Sequence, residues 1–137
     1  MSTLDTPASR PTVLVAEDED NVRLMVAAVL RQRGFDAVLC VDGQDALEQI
    51  ERADHVDAVL ADIRMPRVDG VELARRIRQV PRWSALPIIA MSAYNDEVQE
   101  REVRAAGADA FLPKPFTVAD LVQVLEELLG TPRSPSQ

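Results

Sequence analysis

The sequence predicts an α/β protein in which five parallel strands form a doubly wound sheet, in the order 2-1-3-4-5, between two layers of helices. Two observations lead to this prediction. Five short apolar runs alternate along the chain with five stretches that repeat apolar residues at helical spacing, which is typical of βαβ units. Right-handed crossovers leave few topologies, and this order is the simplest one at this size. The 137 residues suffice for one domain with its own core.

The five predicted strands are short apolar runs of the kind that is buried on both faces of a parallel sheet. They cover residues 12–16, 37–41, 57–62, 86–91 and 110–113. Pro87 lies near the start of the fourth strand, where a missing N–H is tolerated. Cys40 lies within the second strand, and we expect it to be a small buried hydrophobic residue.

Small polar residues and glycines mark the ends of the predicted helices. Asp20 or Asn21 can cap the first helix, and Gly34 ends it. Its apolar face is predicted to consist of Val22, Met25, Val26, Val29 and Leu30. The other helices are predicted over residues 43–53, 71–80, 97–106 and 117–129, the last with Thr117 as its cap.

Composition excludes several kinds of protein. The 15 basic residues against 23 acidic ones give a net charge of −8, which argues against an unaided nucleic-acid binder. One Cys and one His, the latter expected in a solvated loop, exclude an internal disulfide and zinc sites built on Cys or His pairs. No apolar run approaches the roughly 20 residues needed to span a bilayer, and the N-terminus lacks the apolar segment of a signal peptide. We therefore expect a cytoplasmic protein, with residues 12–130 folded between two disordered tails at 1–11 and 131–137.

Polar side chains follow four of the five strands. Glu17 and Asp18 come after the first strand, Asp62 ends the third, Ser92 follows the fourth, and Lys114 follows the fifth. Because the carboxyl ends of parallel strands share one edge of the sheet, these side chains are expected to converge there. Carboxylates in one crevice repel each other unless their pKa values rise or a cation joins them. An oxygen-only site with open positions suits Mg²⁺.

The acidic run after the first strand also has a simpler explanation, because acids complement the dipole at the N-terminus of a helix. That explains Glu19 and Asp20, but not Glu17 and Asp18, which belong to the strand end. Flavodoxin and Rossmann proteins instead have glycines or hydroxyls after the first strand, which cradle phosphate. A haloacid-dehalogenase-type phosphatase needs a second Asp two positions after the nucleophile, where this chain has Arg64.

Four segments, VLVAEDED, DAVLADIRMPRVDG, PIIAMSA and GADAFLPKPF, resemble the CheY-like receiver domain of two-component response regulators. The resemblance extends from about Thr12 to Leu129 and includes all five signature positions in order and spacing. It implies a flavodoxin-like fold. It also implies that Asp62 accepts a phosphoryl group from a phosphohistidine, which makes the protein a signalling phosphoacceptor rather than an enzyme that acts on a free metabolite.

The resemblance assigns a role to each residue at this edge. Glu17, Asp18, Asp62 and the backbone carbonyl of Arg64 would hold Mg²⁺. Lys114 would neutralise a phosphoryl oxygen, since phosphoryl transfer depends on positioning and charge stabilisation.

Further positions follow from the same resemblance. Ser92 would donate a hydrogen bond to the phosphoryl group and move on phosphorylation, together with the aromatic switch residue Phe111. The Lys114–Pro115 bond is expected to be cis. Arg64 and Tyr94 occupy two variable positions, and their large side chains are predicted to shield the acyl phosphate and lengthen its lifetime.

The expected partners are proteins: a histidine kinase or a histidine phosphotransfer protein, and a downstream target. The output surface implied by the family is the face of the fourth helix, fifth strand and fifth helix. Leu24, Ala27 and Ala28 either simply favour helix or form a docking shoulder for a partner's helices. We expect a stand-alone receiver, as a monomer or a phosphorylation-dependent dimer. A receiver cut from a larger regulator or hybrid kinase, and an interaction module that takes no phosphate, stay open as alternatives.

Overall fold

A computed structural model describes residues 10–92 and 97–130. Its five strands are β1 (Thr12–Ala16), β2 (Asp36–Cys40), β3 (Ala58–Asp62), β4 (Ile88–Ser92) and β5 (Ala110–Pro113). They form one parallel sheet in the order β2-β1-β3-β4-β5. The predicted fold class and strand order are therefore confirmed. Tyr94 and most of the two expected tails lie outside the described residues.

Five helices connect and follow the strands. They are α1 (Asp20–Gln32), α2 (Gly43–Arg52), α3 (Gly70–Gln79), α4 (Glu97–Ala106) and α5 (Val118–Leu129). Within the described residues, side-chain caps start three of them: Asp42 begins α2, Asp69 begins α3 and Thr117 begins α5. Thr117 forms a full capping box with Asp120, which confirms it as the predicted cap of the last helix.

The sheet separates two hydrophobic layers, because successive side chains of a strand point to opposite faces. On one face, α1 and α5 pack on a cluster of strand residues: Val13, Val15, Ala58, Leu60, Ile89, Met91 and Leu112. On the other face, α2, α3 and α4 cover Leu14, Ala16, Cys40, Val59, Ala61, Ile88 and Ala90. Cys40 is fully buried, and burial raises the pKa of its thiol to about 12, as suits a residue that serves as a hydrophobic one.

The first helix departs from the prediction at three positions. It begins after Glu19, which makes no side-chain capping bond, rather than after Asp20 or Asn21. Met25 was expected on the buried face but is 41% exposed, because the buried stripe of α1 is narrower than the apolar pattern. Ala27 is buried and therefore cannot belong to an exposed docking shoulder, whereas Leu24 and Ala28 are exposed.

The fourth strand begins two residues later than predicted. A short 3-10 turn over Pro81–Trp83 precedes it, and the N–H of Leu86, three residues after that turn, donates back to the carbonyl of Trp83. Leu86 therefore bonds to the turn rather than to the sheet, and the strand begins beyond Pro87 and reaches Ser92. Among the described residues, no helix combines the length and the apolar character needed to cross a membrane.

Candidate functional site

Three charged side chains meet at the carboxyl edge of the sheet. Each one lies two residues after a buried apolar strand residue and therefore points to the same face of the sheet. The pairs are Val15 and Glu17, Leu60 and Asp62, and Leu112 and Lys114, and the apolar member of each pair packs with α1 and α5. In a strand, residues two apart point to the same side. The strand pattern therefore directs all three polar groups to one side of the edge, and the order β1-β3-β4-β5 brings them within reach of each other.

The Lys114 ammonium joins the two carboxylates. Its Nζ donates to Glu17 Oε1 at 2.7 Å and to Asp62 Oδ2 at 3.0 Å. The other carboxylate oxygens accept backbone bonds: Glu17 Oε2 from the N–H of Glu19 at 3.0 Å, and Asp62 Oδ1 from the N–H of Arg64 at 3.3 Å. Glu17 is fully buried and Asp62 is 7% exposed. Ion pairs this far from solvent hold their partners in a defined geometry.

The charges of this cluster do not balance. Burial raises the pKa of the Glu17 carboxyl, with a contribution from the charge of Asp62, although hydrogen bonds from Lys114 and the N–H of Glu19 act against it. Burial lowers the pKa of Lys114, but its bonds and attraction to Glu17 and Asp62 outweigh this and leave the pKa raised. One ammonium therefore serves two buried carboxylates, and the site still favours additional positive charge.

Asp18 completes a set of oxygen ligands. One carboxylate oxygen from each of Glu17, Asp18 and Asp62 lies within 4.8 Å of the others. Asp18 is exposed, so the set opens to solvent on one side. A hard, oxygen-only donor set with an open side fits Mg²⁺, which retains several waters and accepts phosphate oxygens. The residues present therefore fit the ion that the sequence predicts.

The remaining predicted residues lie around this cluster. Ser92 is buried at the end of β4, and Lys114 is held beside it by a bond from its N–H to the Ser92 carbonyl. Phe111 is half-buried against the layer that α2, α3 and α4 cover. The Arg64 side chain is exposed and points toward α4. The Lys114–Pro115 bond is cis, which confirms that expectation.

Two features beside the site are not predicted by any pattern in the sequence. Gln99 of α4 contacts both Ser92 and Arg64, and a salt bridge joins Arg67 to the buried Asp42 at the start of α2. Gly70, in the Asp69-Gly70 pair, is a sequence signal for close backbone packing beside the site. A Cβ there would lie 2.6 Å from the carbonyl oxygen of Asp62, so the Asp-Gly pair lets α3 begin directly against the end of β3.

A family comparison decides the class of the domain. The model of the response regulator receiver domain matches residues 13–126. The chain belongs to this family. As in other receivers, its acidic pocket is compatible with Mg²⁺ and with phosphorylation of an aspartate.

Curated relatives of this receiver are longer than the chain itself. It is 37% identical over 126 residues to the transcriptional regulatory protein PdtaR of Mycobacterium tuberculosis, which covers 90% of this chain and 60% of that protein. It is 39% identical over 118 residues to the response regulator MprA of Mycolicibacterium vanbaalenii, covering 85% of this chain and 49% of the relative. The receiver thus spans about half to three-fifths of the curated relatives it matches.

A solved structure agrees with the fold and with the chemistry of the site. The receiver domain of the sensor histidine kinase PA1611 from Pseudomonas aeruginosa superimposes with a TM-score of 0.82 and 32% identity, over 89% of this chain and 99% of that one. In that crystal structure, a magnesium ion is coordinated in the active site cleft.

Proposed function

We propose that this receiver accepts a phosphoryl group on Asp62 from a phosphohistidine of a histidine kinase or phosphotransfer protein. The observation that carries the proposal is the position of Asp62. It is buried at the end of β3, paired with the Lys114 ammonium at 3.0 Å, and within 4.8 Å of the Glu17 and Asp18 carboxylates. A nucleophile, a cation for the phosphoryl charge and a metal-ligand set thus lie in one pocket.

The transfer step is a displacement at phosphorus. A carboxylate oxygen of Asp62 forms the new P–O bond, and the P–N bond to the partner's imidazole breaks with its electron pair going to that nitrogen. Lys114 then exchanges its bond to Asp62 for a phosphoryl oxygen, and the Ser92 hydroxyl donates to another. Hydrolysis by water later returns the carboxylate, so the domain catalyses only its own phosphorylation and dephosphorylation.

Glu17, Asp18, Asp62 and the backbone carbonyl of Arg64 would hold Mg²⁺ in this proposal. When bound, the ion supplies charge neutralisation for the phosphoryl group and for the acids around it. Its presence in the cleft of the PA1611 receiver supports this assignment. The N–H of Arg64 donates to Asp62, so the backbone of this loop already lies beside the acceptor.

Phosphorylation is proposed to act on other proteins through the face of α4, β5 and α5. Movement of Ser92 toward the phosphoryl group and inward rotation of Phe111 would reshape that face. The kinase or phosphotransfer protein would dock near α1, where Leu24 and Ala28 are exposed. The net charge of −8 makes proteins better partners for this domain than DNA or RNA. We propose a cytoplasmic location and a monomer, or a dimer that forms on phosphorylation.

A second candidate is a receiver that regulates an attached output domain. The length of the relatives favours it, since the chain covers 60% of PdtaR and 49% of MprA. Both candidates share the same chemistry at Asp62 and differ in what the switched face contacts. A stand-alone receiver binds a separate target protein through this face, whereas an attached domain would be held or released by it.

The experiment is intact-mass measurement after incubation with acetyl phosphate, with and without Mg²⁺. The wild type is expected to gain one phosphoryl group only when Mg²⁺ is present, and Asp62→Asn is expected to gain none. Asp57→Asn is the matched control, because Asp57 precedes the same strand at its opposite end and bonds to the N–H of Thr12. It should be labelled like the wild type.

Beryllium fluoride, which mimics the phosphoryl group, covers the case in which the small donor is refused or the product hydrolyses quickly. Binding would be followed by NMR shifts of Ser92 and Phe111. Labelling of Asp62→Asn would assign the acceptor elsewhere. Failure of both acetyl phosphate and beryllium fluoride with the wild type would favour a binding module that takes no phosphate.

A further inference from the structure

Gln99, in the first turn of α4, lies between two residues of the site. Its side-chain amide is 3.0 Å from Ser92 Oγ on one side. On the other side it is 2.9 Å from Nε and 3.2 Å from Nη2 of Arg64. Arg64 comes two residues after Asp62, and Ser92 ends the neighbouring strand. One amide of α4 therefore connects the loop after β3 to the end of β4.

The chemistry of its neighbours determines which way the Gln99 amide points. A guanidinium has only donors, so the carbonyl oxygen of the amide must face Arg64. In that orientation the oxygen accepts from both Nε and Nη2, and the NH₂ group donates to Ser92 Oγ. The opposite orientation would place the NH₂ group against the guanidinium, donor against donor. The amide therefore donates to Ser92 rather than accepting from it.

Other glutamines on the helices make a different kind of contact. Gln44 and Gln123 each bond to a glutamate one turn later on the same helix, at 3.2 and 3.3 Å. Such pairs within one helix stabilise the helix only weakly. Gln99 instead joins its helix to two other segments, one of them the buried Ser92. Its contacts therefore hold α4, Ser92 and Arg64 in place relative to one another and do not serve to stabilise the helix itself.

We propose that Gln99 is a positioning residue that sets the Ser92 hydroxyl as a donor toward the phosphoryl group on Asp62 and holds the Arg64 side chain beside the pocket. A hydroxyl that accepts a bond from Gln99 directs its own hydrogen to a different acceptor. The inference rests on the proposed function of Asp62, because the phosphoryl oxygen is that acceptor. It also assigns Arg64 a fixed place, which the shielding of the acyl phosphate requires.

Two substitutions at Gln99 separate the two contacts. Gln99→Glu keeps an oxygen for Arg64 but removes the donor, so the Ser92 hydroxyl is expected to turn its hydrogen toward the carboxylate. Phosphorylation by acetyl phosphate should then slow about tenfold, the effect of one charge-assisted hydrogen bond lost. Gln99→Met removes the contacts to Ser92 and Arg64 at similar volume and adds no acceptor that draws the Ser92 hydrogen away from the phosphoryl group, so a smaller loss of about threefold is expected.

The Ser92→Ala background shows whether the effect passes through the hydroxyl. In that background Gln99→Glu should change the phosphorylation rate by less than about twofold, because the group that it misdirects is absent. A tenfold loss that persists there would mean that the added negative charge repels the donor, and it would overturn the proposal. Gln123→Ala is the matched control on α5 and should behave like the wild type.

A second readout needs no phosphorylation. The side-chain NH₂ signals of Gln99 in NMR spectra should shift in both Ser92→Ala and Arg64→Ala, and those of Gln123 should not. Unchanged Gln99 signals, or a Gln99→Glu variant that is phosphorylated at the wild-type rate, would overturn this inference while leaving the function of Asp62 intact. A wild type that takes neither a phosphoryl group nor beryllium fluoride would overturn both.

Discussion

Two buried carboxylates in this molecule, Glu17 and Asp42, each bind a basic side chain, yet their pKa values shift in opposite directions. Glu17 lies at the carboxyl end of β1 and shares the Lys114 ammonium with Asp62. Asp42 begins α2 and is paired with Arg67 of the loop after β3. The pKa of Glu17 is raised and that of Asp42 is lowered. Burial raises the pKa of both carboxyls, and the donors around Asp42 outweigh it whereas those around Glu17 do not.

Asp42 is fully supplied with donors. Burial raises the pKa of its carboxyl, but bonds from the N–H groups of Asp45 and Gln44 and from the Arg67 guanidinium outweigh burial and lower it. These backbone groups belong to the N-terminus of α2, which favours negative charge. Asp42 is thus a helix cap with a salt bridge added, and its charge is satisfied within the protein.

Glu17 has fewer donors, and they are shared. It receives one backbone N–H, from Glu19, and half of an ammonium that also serves Asp62. Burial and the neighbouring charge therefore leave its pKa raised. A buried carboxylate that receives enough hydrogen bonds and positive charge within the protein contributes to stability. One that receives too few can bind a cation from solution. The two carboxylates thus differ in the number of hydrogen-bond donors that the protein gives to each.

The two ion pairs, Glu17 with Lys114 and Asp42 with Arg67, should differ most when the basic side chain is removed from each. Lys114→Met should reduce the rate of phosphorylation by acetyl phosphate by about a hundredfold or more, as loss of one preorganised charged donor does. Arg67→Met should leave that rate within a few-fold of the wild type, because Asp42 keeps its backbone donors. The rates would be measured by intact mass over time. Equal losses in both variants would remove the functional distinction between the pairs.

Mg²⁺ should stabilise the fold through the site that contains Glu17 and not through Asp42. At a concentration one hundred times its dissociation constant, a ligand specific for the folded state adds about 2.7 kcal/mol to the free energy of unfolding. Urea unfolding with and without Mg²⁺ should show this gain in the wild type and in Asp42→Asn. Glu17→Gln and Asp18→Asn should lose most of it. A gain that survives in both site variants would show that the ion binds elsewhere.

Asp42→Ala should cost about 2 kcal/mol in the free energy of unfolding, because it removes a helix cap and leaves Arg67 without its partner. The loss should leave the Mg²⁺ affinity of the folded protein unchanged within about twofold. Asp69→Ala is the matched control. Asp69 caps α3 in the same way, by accepting from the N–H of Glu72, but it is exposed and no salt bridge joins it to a described residue. The Asp42 variant is expected to be the less stable of the two.

The two pairs also show what could and could not be predicted from the sequence. Glu17, Asp62 and Lys114 each lie two residues beyond a buried apolar strand residue. The period of a strand and the rule that parallel strands end at one edge thus suffice to bring them together. The salt bridge of Asp42 joins residues 25 positions apart in two loops. No periodicity describes such loops, because their path depends on how α2 and the loop after β3 pack.

Packing between elements accounts for the other differences. Gln99 could not be identified because the sequence specifies the apolar face of α4 but not its distance from Arg64. The expected burial of Met25 failed because the apolar stripe of α1 is wider than the surface that the sheet offers. The close approach of two backbone segments likewise cannot be predicted from the sequence. A Cβ at Gly43 would overlap the carbonyl oxygen of Val68, which ties the start of α2 to the same loop that carries Arg67.

The stability that Asp42 contributes should depend on pH. Its pKa is lowered in the folded state, so the contribution is present above the ordinary carboxyl pKa and is lost as the pH falls through the folded-state value. The wild type should therefore exceed Asp42→Asn in stability at pH 7, and the difference should shrink toward pH 3. Urea unfolding of both proteins across this range measures it. A difference that stays constant with pH would mean that the Asp42 carboxylate is not favoured by folding.

Arg67 gives the smallest and most specific test, because its side chain and its backbone act in opposite directions. The guanidinium holds Asp42, but the residue has a φ of 69°, in the left-handed region that costs a non-glycine residue about 1 kcal/mol. Arg67→Ala loses the salt bridge and keeps the backbone cost, whereas Arg67→Gly loses both. The glycine variant is therefore expected to be more stable than the alanine variant by about 1 kcal/mol and close to the wild type. If the two variants unfold at the same urea concentration, the loop does not keep this conformation without the salt bridge. Asp42 would then determine the path of the loop that follows Asp62. The salt bridge between Asp42 and Arg67 would in that case also help to position Asp62 and Lys114.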